Sequence, residues 1–453
     1  MEYVLQSGAR SSIVVTGVGA VSPIGVGTPV FTRSLRNGAP GVALLDDMDG
    51  DCRSTVAARC NDFAPTSVMP AGESRRLPRL VPMALAACRE AMAQAGLLDA
   101  GGEREGALLD HLATHDVGLF LGTGGGGIDF TLDQAKAQYT GGKPSLWTIT
   151  NATHGNLAGE LSIRLGLQGP SLCSSTGCAS SSDAVGLAME LLRSGRSGSP
   201  NIMIVVGADA HIRWETLRGM ELLGVITTKN WRDCGEDPAT ASRPFDVSRD
   251  GFILGEGAWA VVLERADVAR ARERAPLATM LGYGATCDAH HRVRPAPDMA
   301  QCARAILQAV DDAAIRPDQI EVAQLHGTGT RLNDELETRA IRAAFGVHAD
   351  ALACSSIKAM IGHPQGASGL AGLVATIASL GNMDAHEEGP FVPPTINLRE
   401  QDPACGLHVT PNLRQLSNAR TALVNCLAFG ARNSALVVRI EREAIGDTNH
   451  PQA

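Results

Sequence analysis

Short apolar runs recur along the chain, and most of them end at or near glycine. The clearest are residues 13–15, 117–121, 202–206, 322–325 and 434–440. Continuous apolar runs of this length, bounded by turn formers, are typical of buried strands. Helical patterns follow several of them, notably at residues 184–192, 265–274 and 366–380. Strands that alternate with helices predict an α/β fold.

The second part of the chain repeats the pattern of the first. A strand runs into residues 122–127 (GTGGGG), and a later strand runs into residues 326–330 (HGTGT). Each is followed by a turn and an apolar helix, at residues 178–192 and 363–380. A weak internal duplication predicts two similar halves, residues 12–275 and 276–441, and a disordered tail at residues 442–453.

Composition excludes several classes of protein. The chain has 453 residues, of which 44% are hydrophobic, so it can bury a large core. Its net charge of −9 argues against nucleic acid as a partner. No run of 18 apolar residues predicts a membrane span, and the first ten residues lack the apolar core of a signal peptide. The 11 scattered cysteines indicate reduced thiols in a cytoplasmic protein.

The glycine run at residues 122–127 contains a G-x-G-x-x-G pattern, which is typical of dinucleotide-binding loops. Such a loop needs an acidic residue about 20 residues further on to bind the ribose. The segment 138–147 contains none. We therefore expect no nucleotide cofactor, and the cysteines lack the paired spacing of a metal site.

Cys178 is the leading candidate for a nucleophile. It lies among small residues, between a short apolar segment and a helical pattern, so it should stand at a helix N-terminus. Free N–H groups and the positive end of the helix dipole favour a thiolate there. A thiolate is well suited to forming a thioester. The alternative interpretation is a buried structural cysteine.

Two histidines strengthen the first interpretation. His326 follows a predicted strand and His363 precedes a predicted helix, as Cys178 does. Two imidazole N–H groups could hold one carbonyl oxygen and stabilise an enolate. Lys358, five residues before His363, could orient that ring, and we expect it to pair with Glu337 or Asp334.

Five motifs occur in order along the chain. They are TGCASS at residues 176–181, RPFDVSRDGFILGEG at 243–257, HGTGT at 326–330, KAMIGH at 358–363 and FGARN at 429–433. Together they resemble the elongating β-ketoacyl-[acyl-carrier-protein] synthases, over residues 12–441. The resemblance implies a thiolase-like fold, two similar halves in five αβαβα layers, and usually a dimer.

The resemblance also implies a reaction. Cys178 would accept an acyl chain from a carrier protein as a thioester. His326 and His363 would bind the carbonyl of a malonyl thioester. Decarboxylation would leave an enolate held by both imidazoles, and this carbanion would attack the acyl group on Cys178.

Further roles follow from the same resemblance. Lys358 and Glu337 would support the two histidines. Backbone N–H groups of Cys178 and Phe429 would form an oxyanion hole, and Phe429 would also act as a gate. An acidic carrier protein would meet a basic patch, which fits electrostatic steering. The candidate contacts are Arg75, Arg76 and Arg79.

Four residues depart from the usual pattern of this family. Gly177 replaces the alanine before the cysteine, and Ala428, Ala431 and Arg432 replace small residues of the Phe429 gate. We expect these alanines to restrict the loop, because alanine disfavours the dihedral angles that glycine adopts. Arg432 could pair with Asp250 or Glu256, or reach towards a carrier protein. The departures suggest a specialised, polyketide-type pathway instead of housekeeping fatty-acid synthesis.

Three rival functions remain to be weighed. An inactive partner subunit, such as a chain-length factor in a heterodimer, would lack the cysteine that this chain retains. A non-decarboxylating acyltransferase of the same fold often lacks one histidine, and this chain has both. A degradative thiolase uses a second cysteine as a base, for which Cys354 and Cys426 are candidates. The sequence leaves open whether the dimer partner is a second copy or a paralogue.

Overall fold

The computed structural model describes residues 11–46, 52–99, 108–109 and 112–442. The strands within these ranges are β1 (Ile13–Ser22), β2 (Gly25–Val26), β3 (Ala43–Leu44), β4 (Val56–Ala57), β5 (Val117–Gly122), β6 (Ser171–Ser174), β7 (Ile202–Asp209), β8 (Gly257–Arg265), β9 (Ala278–Cys287), β10 (Val322–Gln324), β11 (Ala353–Ser355), β12 (Phe391–Val392), β13 (Gln415–Leu416), β14 (Thr421–Ala428) and β15 (Arg432–Ile440). The helices are α1 (Thr28–Asn37), α2 (Ala71–Ser74), α3 (Leu80–Gln94), α4 (Ile128–Tyr139), α5 (Thr148–Ala152), α6 (His154–Leu165), α7 (Ser180–Ser194), α8 (Trp214–Leu223), α9 (Ala266–Ala271), α10 (Ala300–Asp312), α11 (Arg331–Phe345), α12 (Lys358–Ile361) and α13 (Ser368–Leu380). The predicted disordered tail falls, apart from its first residue, on residues 443–453, outside the described ranges.

The strand order shows the duplication that the sequence predicts. The main sheet runs β11-β10-β14-β15-β9-β1-β8-β7-β5-β6. Five strands of this path come from each half of the chain. If the five are numbered in chain order, both halves place them in the spatial order third, second, fourth, fifth, first, read from the edge of the sheet to its centre. The pairing agrees as well, because β5 is parallel to β6 and β7, and β10 is parallel to β11 and β14. The remaining neighbours in this order are antiparallel in both halves.

Two helices lie between the halves and complete a layered fold. The first strands of the halves, β1 and β9, pair over only three residues each. Helix α7 packs against β5 and β7 on one side and against β9 and β15 on the other. Helix α13 likewise touches strands of both halves, and every one of its residues is buried. With α3 and α6 outside one half, and α10 and α11 outside the other, the layers are αβαβα. The predicted thiolase-like fold is confirmed.

Glycines at matching positions let the outer helices approach the sheet. A Cβ at Gly17 or Gly19 would lie 2.0 or 2.1 Å from a carbonyl oxygen of α3. A Cβ at Gly282 or Gly284 would lie 2.0 or 2.1 Å from a carbonyl oxygen of α10. Any side chain at these positions would force the helix away. The same packing in β1 and β9 is therefore a local signature of the duplication.

The predicted elements and the observed ones agree closely at the centre of the fold. The helix expected after Cys178 is α7, and the helix expected after His363 is α13. The predicted domain boundary after residue 275 lies between α9 and β9 and stays a prediction. Among the described helices, none combines the length and the apolar character needed to cross a membrane.

Candidate active site

Cys178 lies where the sequence predicts it, in the turn that leads from β6 into α7. Residues Gly177–Ala179 form one 3₁₀ turn, and α7 begins at the next residue. Gly177 has a φ of 65°, a left-handed conformation that glycine adopts without strain. Cys178 is 4% exposed and lines a cavity of about 530 Å³.

His363 is the direct partner of the Cys178 thiol. Its Nε2 atom lies 3.2 Å from Cys178 Sγ. Its other ring nitrogen, Nδ1, lies 3.1 Å from the hydroxyl oxygen of Ser368 at the start of α13. The ring also packs edge-on against Phe252, with 5.1 Å between ring centroids. These contacts aim Nε2 at the sulfur, the arrangement of a base that takes a proton from a nucleophile.

Burial keeps both members of this pair neutral. It raises the pKa of Cys178 to about 12, although the charge of Lys358 opposes this shift. Burial also lowers the pKa of His363 well below its usual value, and Lys358 adds to that effect. The sequence predicted a thiolate. The loss of solvation on burial outweighs the stabilisation of negative charge by the helix N-terminus, so the structure indicates a neutral thiol. Near neutral pH the free thiolate is therefore rare, and transfer of the Cys178 proton to His363 is the route to ionisation that the geometry provides.

His326 follows β10 and lines the same cavity. Its ring centroid lies 5.2 Å from that of His363, and the two rings meet at 84°. Burial, assisted by the charge of Lys358, lowers the pKa of His326 well below its usual value. A neutral imidazole can donate one N–H to a substrate oxygen. The structure thus brings together the three residues that the sequence singled out.

Glu337 and Lys358 hold the main chain at His326. The carboxylate of Glu337 accepts 2.7 Å hydrogen bonds from the backbone N–H groups of His326 and Gly327. Lys358 Nζ donates a 2.6 Å hydrogen bond to the main-chain oxygen of His326. Both side chains therefore fix the main-chain position from which the His326 side chain extends.

The ion pair predicted between Lys358 and Glu337 or Asp334 is not formed. Glu337 uses its remaining capacity to accept a 2.7 Å hydrogen bond from the side chain of Asn425. Asp334 lies 3.4 Å from the guanidinium of Arg249. The prediction failed because main-chain donors occupy both carboxylates, and sequence spacing carries no signal for such contacts.

Phe429 begins the three-residue turn between β14 and β15. Its backbone N–H and that of Cys178 both interact with the Cys178 sulfur and lower its pKa. Backbone N–H groups beside a nucleophile are the kind of donor that oxyanion holes use, and the oxyanion-hole role of these two stays a prediction. Phe429 itself is half-buried and lines the cavity.

The backbone conformation of this turn bears on the expected effect of Ala431. Gly430 and Ala431 have φ angles of 84° and 63°. We expected Ala431 to restrict the loop by disfavouring positive φ. The structure shows that Ala431 takes this conformation nevertheless, so the turn carries strain of about 1 kcal/mol.

Arg79 has a structural partner. Its guanidinium lies 2.8 Å from the carboxylate of Glu256, whose side chain is 3% exposed. The predicted pairing of Arg432 with Glu256 is therefore wrong, and so is that with Asp250, which accepts a hydrogen bond from Thr227. Arg432 is exposed and lines the cavity.

One buried carboxylate escaped the sequence analysis. Asp209, at the end of β7, accepts hydrogen bonds from the backbone N–H groups of Gly124, Gly125 and Gly366 at 2.7 to 2.9 Å. Asp209 therefore occupies the N–H groups that a phosphate would need at the glycine run. It also ties that run to the turn after His363. The signal in the sequence that could have identified Asp209 is its position as an acidic residue at the end of an apolar strand.

Three side chains have the spacing of metal ligands. The Cys178 sulfur and one ring nitrogen each of His326 and His363 lie within 4.8 Å of one another. A thiol and two imidazoles are ligands that zinc accepts. Lys358 opposes a cation here, because its charge acts on all three groups. The cluster is better suited to acyl transfer than to metal binding.

Comparison with known families shows to which family this chain belongs. Two family models match the chain: "Beta-ketoacyl synthase, N-terminal domain" over residues 10–269, and "Beta-ketoacyl synthase, C-terminal domain" over residues 277–399. The chain belongs to the β-ketoacyl synthase family. The predicted resemblance is confirmed, and so is the predicted class of enzyme.

Relatives of this β-ketoacyl synthase span nearly its whole length. A 3-oxoacyl-[acyl-carrier-protein] synthase 2 of Synechocystis is 34% identical over 435 residues, covering 95% of this chain and 98% of the relative. The solved structure of "the ishigamide ketosynthase/chain length factor" is 30% identical, with a TM-score of 0.82, and covers 96% of this chain and 100% of that one. A type II polyketide ketosynthase, in complex with its acyl-carrier protein, is 26% identical, with a TM-score of 0.83, and covers 95% and 100%.

Proposed function

We propose that this β-ketoacyl synthase joins an acyl group, held on Cys178, to a malonyl group held on an acyl carrier protein, with loss of CO₂. The observation that carries the proposal is the shared cavity of Cys178, His326 and His363, with a 3.2 Å contact between the sulfur and His363 Nε2. Cys178 and one histidine suffice for acyl transfer. The second histidine adds the donor that an enolate requires.

The first half-reaction loads the enzyme. The Cys178 thiol gives its proton to His363 Nε2, and the sulfur attacks the carbonyl carbon of the incoming thioester. The backbone N–H groups of Cys178 and Phe429 stabilise the oxyanion that forms. The carrier thiol leaves with the proton from His363, so this histidine returns to its neutral form.

The second half-reaction forms the carbon–carbon bond. The N–H donors of His326 and His363 hold the carbonyl oxygen of the malonyl thioester. For this step His363 must carry its ring proton on Nε2, the nitrogen that accepts the thiol proton during loading, and the Ser368 hydroxyl at Nδ1 can donate to the lone pair left there. The bond to the carboxylate breaks, CO₂ leaves, and its electron pair becomes the enolate. The enolate carbon attacks the acyl carbon on Cys178, the Cys178 thiolate leaves, and it takes up one proton from solvent. Neutral histidines suit this step, because a cavity with little solvent strengthens hydrogen bonds to a developing negative charge.

An acyl carrier protein is the proposed source of both thioesters. Its phosphopantetheinyl linker carries the acyl group on a terminal thiol and is joined to the carrier through a phosphate, which cations at the cavity mouth would attract. Exposed arginines that line the cavity are Arg294, Arg331 and Arg432. On the outer surface Arg75 and Arg76 are exposed and available to an acidic partner. Arg79 is a weaker candidate than the sequence suggested, since it is bound to Glu256.

A second subunit is also part of the proposal. Strand β6 forms one edge of the main sheet, and its Leu172 is 45% exposed. Ile149 and Ile163, on the neighbouring helices α5 and α6, are 77% and 78% exposed. An unpaired strand edge beside exposed apolar side chains is typical of an interface. The partner would be a second copy of this chain or a paralogue of the chain-length-factor type.

We further propose that the enzyme acts in a polyketide-type pathway. The support is the likeness to a type II polyketide ketosynthase and to a ketosynthase/chain length factor, together with the altered gate at Ala428, Ala431 and Arg432. The 34% identity to a 3-oxoacyl-[acyl-carrier-protein] synthase 2 is equally compatible with saturated acyl chains. Substrate choice must therefore be measured.

The test is a reconstitution with malonyl-loaded carrier protein and carriers that bear saturated, unsaturated or β-keto acyl chains of one length. Mass spectrometry should show acylation of wild-type protein and of the His326→Ala variant, and none of Cys178→Ala. Only the wild type should release CO₂ and form a β-ketoacyl product at full rate. Condensation by His326→Ala at the wild-type rate would overturn the decarboxylative mechanism. A preference for saturated chains would overturn only the polyketide assignment.

A further inference from the structure

Cys426 lies beneath the active site and has no role in the reaction described above. It belongs to β14, is 1% exposed, and does not line the cavity. Its sulfur lies 3.6 Å from Nδ1 of His326 and 3.1 Å from the main-chain oxygen of Cys178. One thiol therefore touches both the histidine that would hold the enolate and the backbone of the nucleophile.

The contact matters because His326 is neutral and carries a single ring proton. If that proton is on Nδ1, the ring offers only a lone pair at Nε2. If it is on Nε2, the ring offers an N–H donor there. Holding an enolate oxygen requires the second form. The partner of Nδ1 decides which form is populated, as it does for other catalytic histidines.

We propose that Cys426 is a positioning residue whose thiol donates to Nδ1 of His326, so that the proton of this ring is held on Nε2. The inference rests on the proposed function, in which His326 is an N–H donor to the malonyl thioester. It adds a residue to which neither the family resemblance nor the motifs assign this role.

The Cys426 thiol has a proton to donate, because burial raises its pKa to about 12. His326 stays neutral, because burial and the charge of Lys358 lower its pKa well below the usual value. Nδ1 of His326 at 3.6 Å and the main-chain oxygen of Cys178 at 3.1 Å compete for the single thiol proton. Donation to Nδ1 holds the ring proton on Nε2, whereas donation to the carbonyl leaves the sulfur facing an N–H on Nδ1, so the two arrangements give opposite tautomers.

The test compares Cys426→Ala with Cys426→Ser, which keeps a donor of similar size. Cys88→Ala, which removes a buried thiol from α3, is the matched control. Cys426→Ala should lower CO₂ release from malonyl carrier roughly 10- to 100-fold, the usual cost of losing a group that orients an imidazole. Its rate of Cys178 acylation should stay within about twofold of wild type, and Cys426→Ser should recover most of the lost decarboxylation.

Nitrogen NMR of ¹⁵N-histidine-labelled protein measures the tautomer of His326 directly. A purely structural role of Cys426 would leave this tautomer unchanged. Wild type and Cys426→Ser should show His326 protonated on Nε2, and Cys426→Ala should show a mixture of tautomers. An Nδ1–H tautomer in the wild type, or equal loss of acylation and decarboxylation in Cys426→Ala, would overturn the inference. If His326→Ala also decarboxylates normally, the proposed function itself fails. If His326→Ala is impaired but Cys426→Ala decarboxylates normally, this inference alone fails.

Discussion

Gly177 and Ala428 face each other across the entrance to the nucleophile. A Cβ built on Gly177 would lie 3.3 Å from the Cβ of Ala428 and 3.1 Å from the main-chain oxygen of Phe429. The family pattern has alanine before the cysteine and glycine before the phenylalanine, and this chain has the reverse. The two departures therefore form one packing unit that keeps the same number of methyl groups between the turn and the gate.

The exchange predicts a coupled pair of mutations. Gly177→Ala should slow acylation, because its Cβ crowds the Phe429 loop and its φ of 65° strains an alanine. Adding Ala428→Gly should restore part of the rate, with a coupling energy of about 0.5–3 kcal/mol. Acylation rates of the two single variants and the double variant complete the cycle.

Ala431→Gly is the control for that cycle, since the Cβ at position 177 meets Ala428 and Phe429 but not Ala431. Combined with Gly177→Ala it should give additive effects. Equal coupling energies to Gly177→Ala for both glycine variants would mean that general loop flexibility, and not the contact between the two positions, sets the rate.

The neutral Cys178–His363 pair predicts an unusual pH dependence. The pKa of Cys178 is raised to about 12 and that of His363 is lowered well below its usual value. Both groups keep their protonation states across the neutral range, so acylation should be flat from about pH 6.5 to 9. It should fall only in acid, as the pH drops through the lowered pKa of His363 and the base becomes protonated.

The His363→Ala variant gives the contrast. Without the base only the free thiolate reacts, so alkylation by iodoacetamide should rise about tenfold per pH unit below the pKa of Cys178. An inflection near pH 8.5 in the wild type would indicate an ordinary exposed thiol. That result would contradict the assignment of His363 as the base.

The fold and the three central residues could be read from the sequence because they depend on local patterns. Apolar runs and glycine turns located β5, β7 and β10, and the helix after Cys178 followed from its periodicity. Contacts between distant segments carried no such signal. Asp209 binds N–H groups of two loops, and Glu337 binds the main chain of His326. Burial, which decides the protonation of Cys178, is likewise a property of the folded structure.

The basic residues near α2 and α3 should separate into two classes. Arg79→Ala leaves the buried carboxylate of Glu256 without its ion pair, so it should lower the free energy of unfolding by roughly 1–3 kcal/mol. Arg75→Glu and Arg76→Glu change exposed side chains and should leave unfolding within about 0.5 kcal/mol.

Carrier binding should depend mainly on the two exposed arginines, which contribute least to the free energy of unfolding. The KM for acyl carrier protein should rise in Arg75→Glu and Arg76→Glu, and the difference from wild type should shrink as salt screens the charges. Thermal unfolding and steady-state kinetics on the same preparations measure both properties. Normal carrier kinetics in the two exposed variants would place the carrier on another surface.

The strained turn at Ala431 gives the last prediction. Its φ of 63° costs an alanine about 1 kcal/mol that glycine avoids, although glycine also gains freedom in the unfolded chain. Ala431→Gly should therefore raise the melting temperature slightly or leave it unchanged, and should speed acylation by freeing the Phe429 loop. Ala314 has a φ of 52° just after α10, away from the cavity, so Ala314→Gly is the matched control. Its melting temperature should rise at least as much as that of Ala431→Gly, because Ala314 is exposed whereas Ala431 loses a buried methyl group. Acylation rates should stay at wild-type values for short and long acyl carriers alike. If both variants acylate at the wild-type rate with unchanged chain-length preference, the Ala431 turn does not limit access to Cys178, and selectivity must come from the side chains that line the cavity.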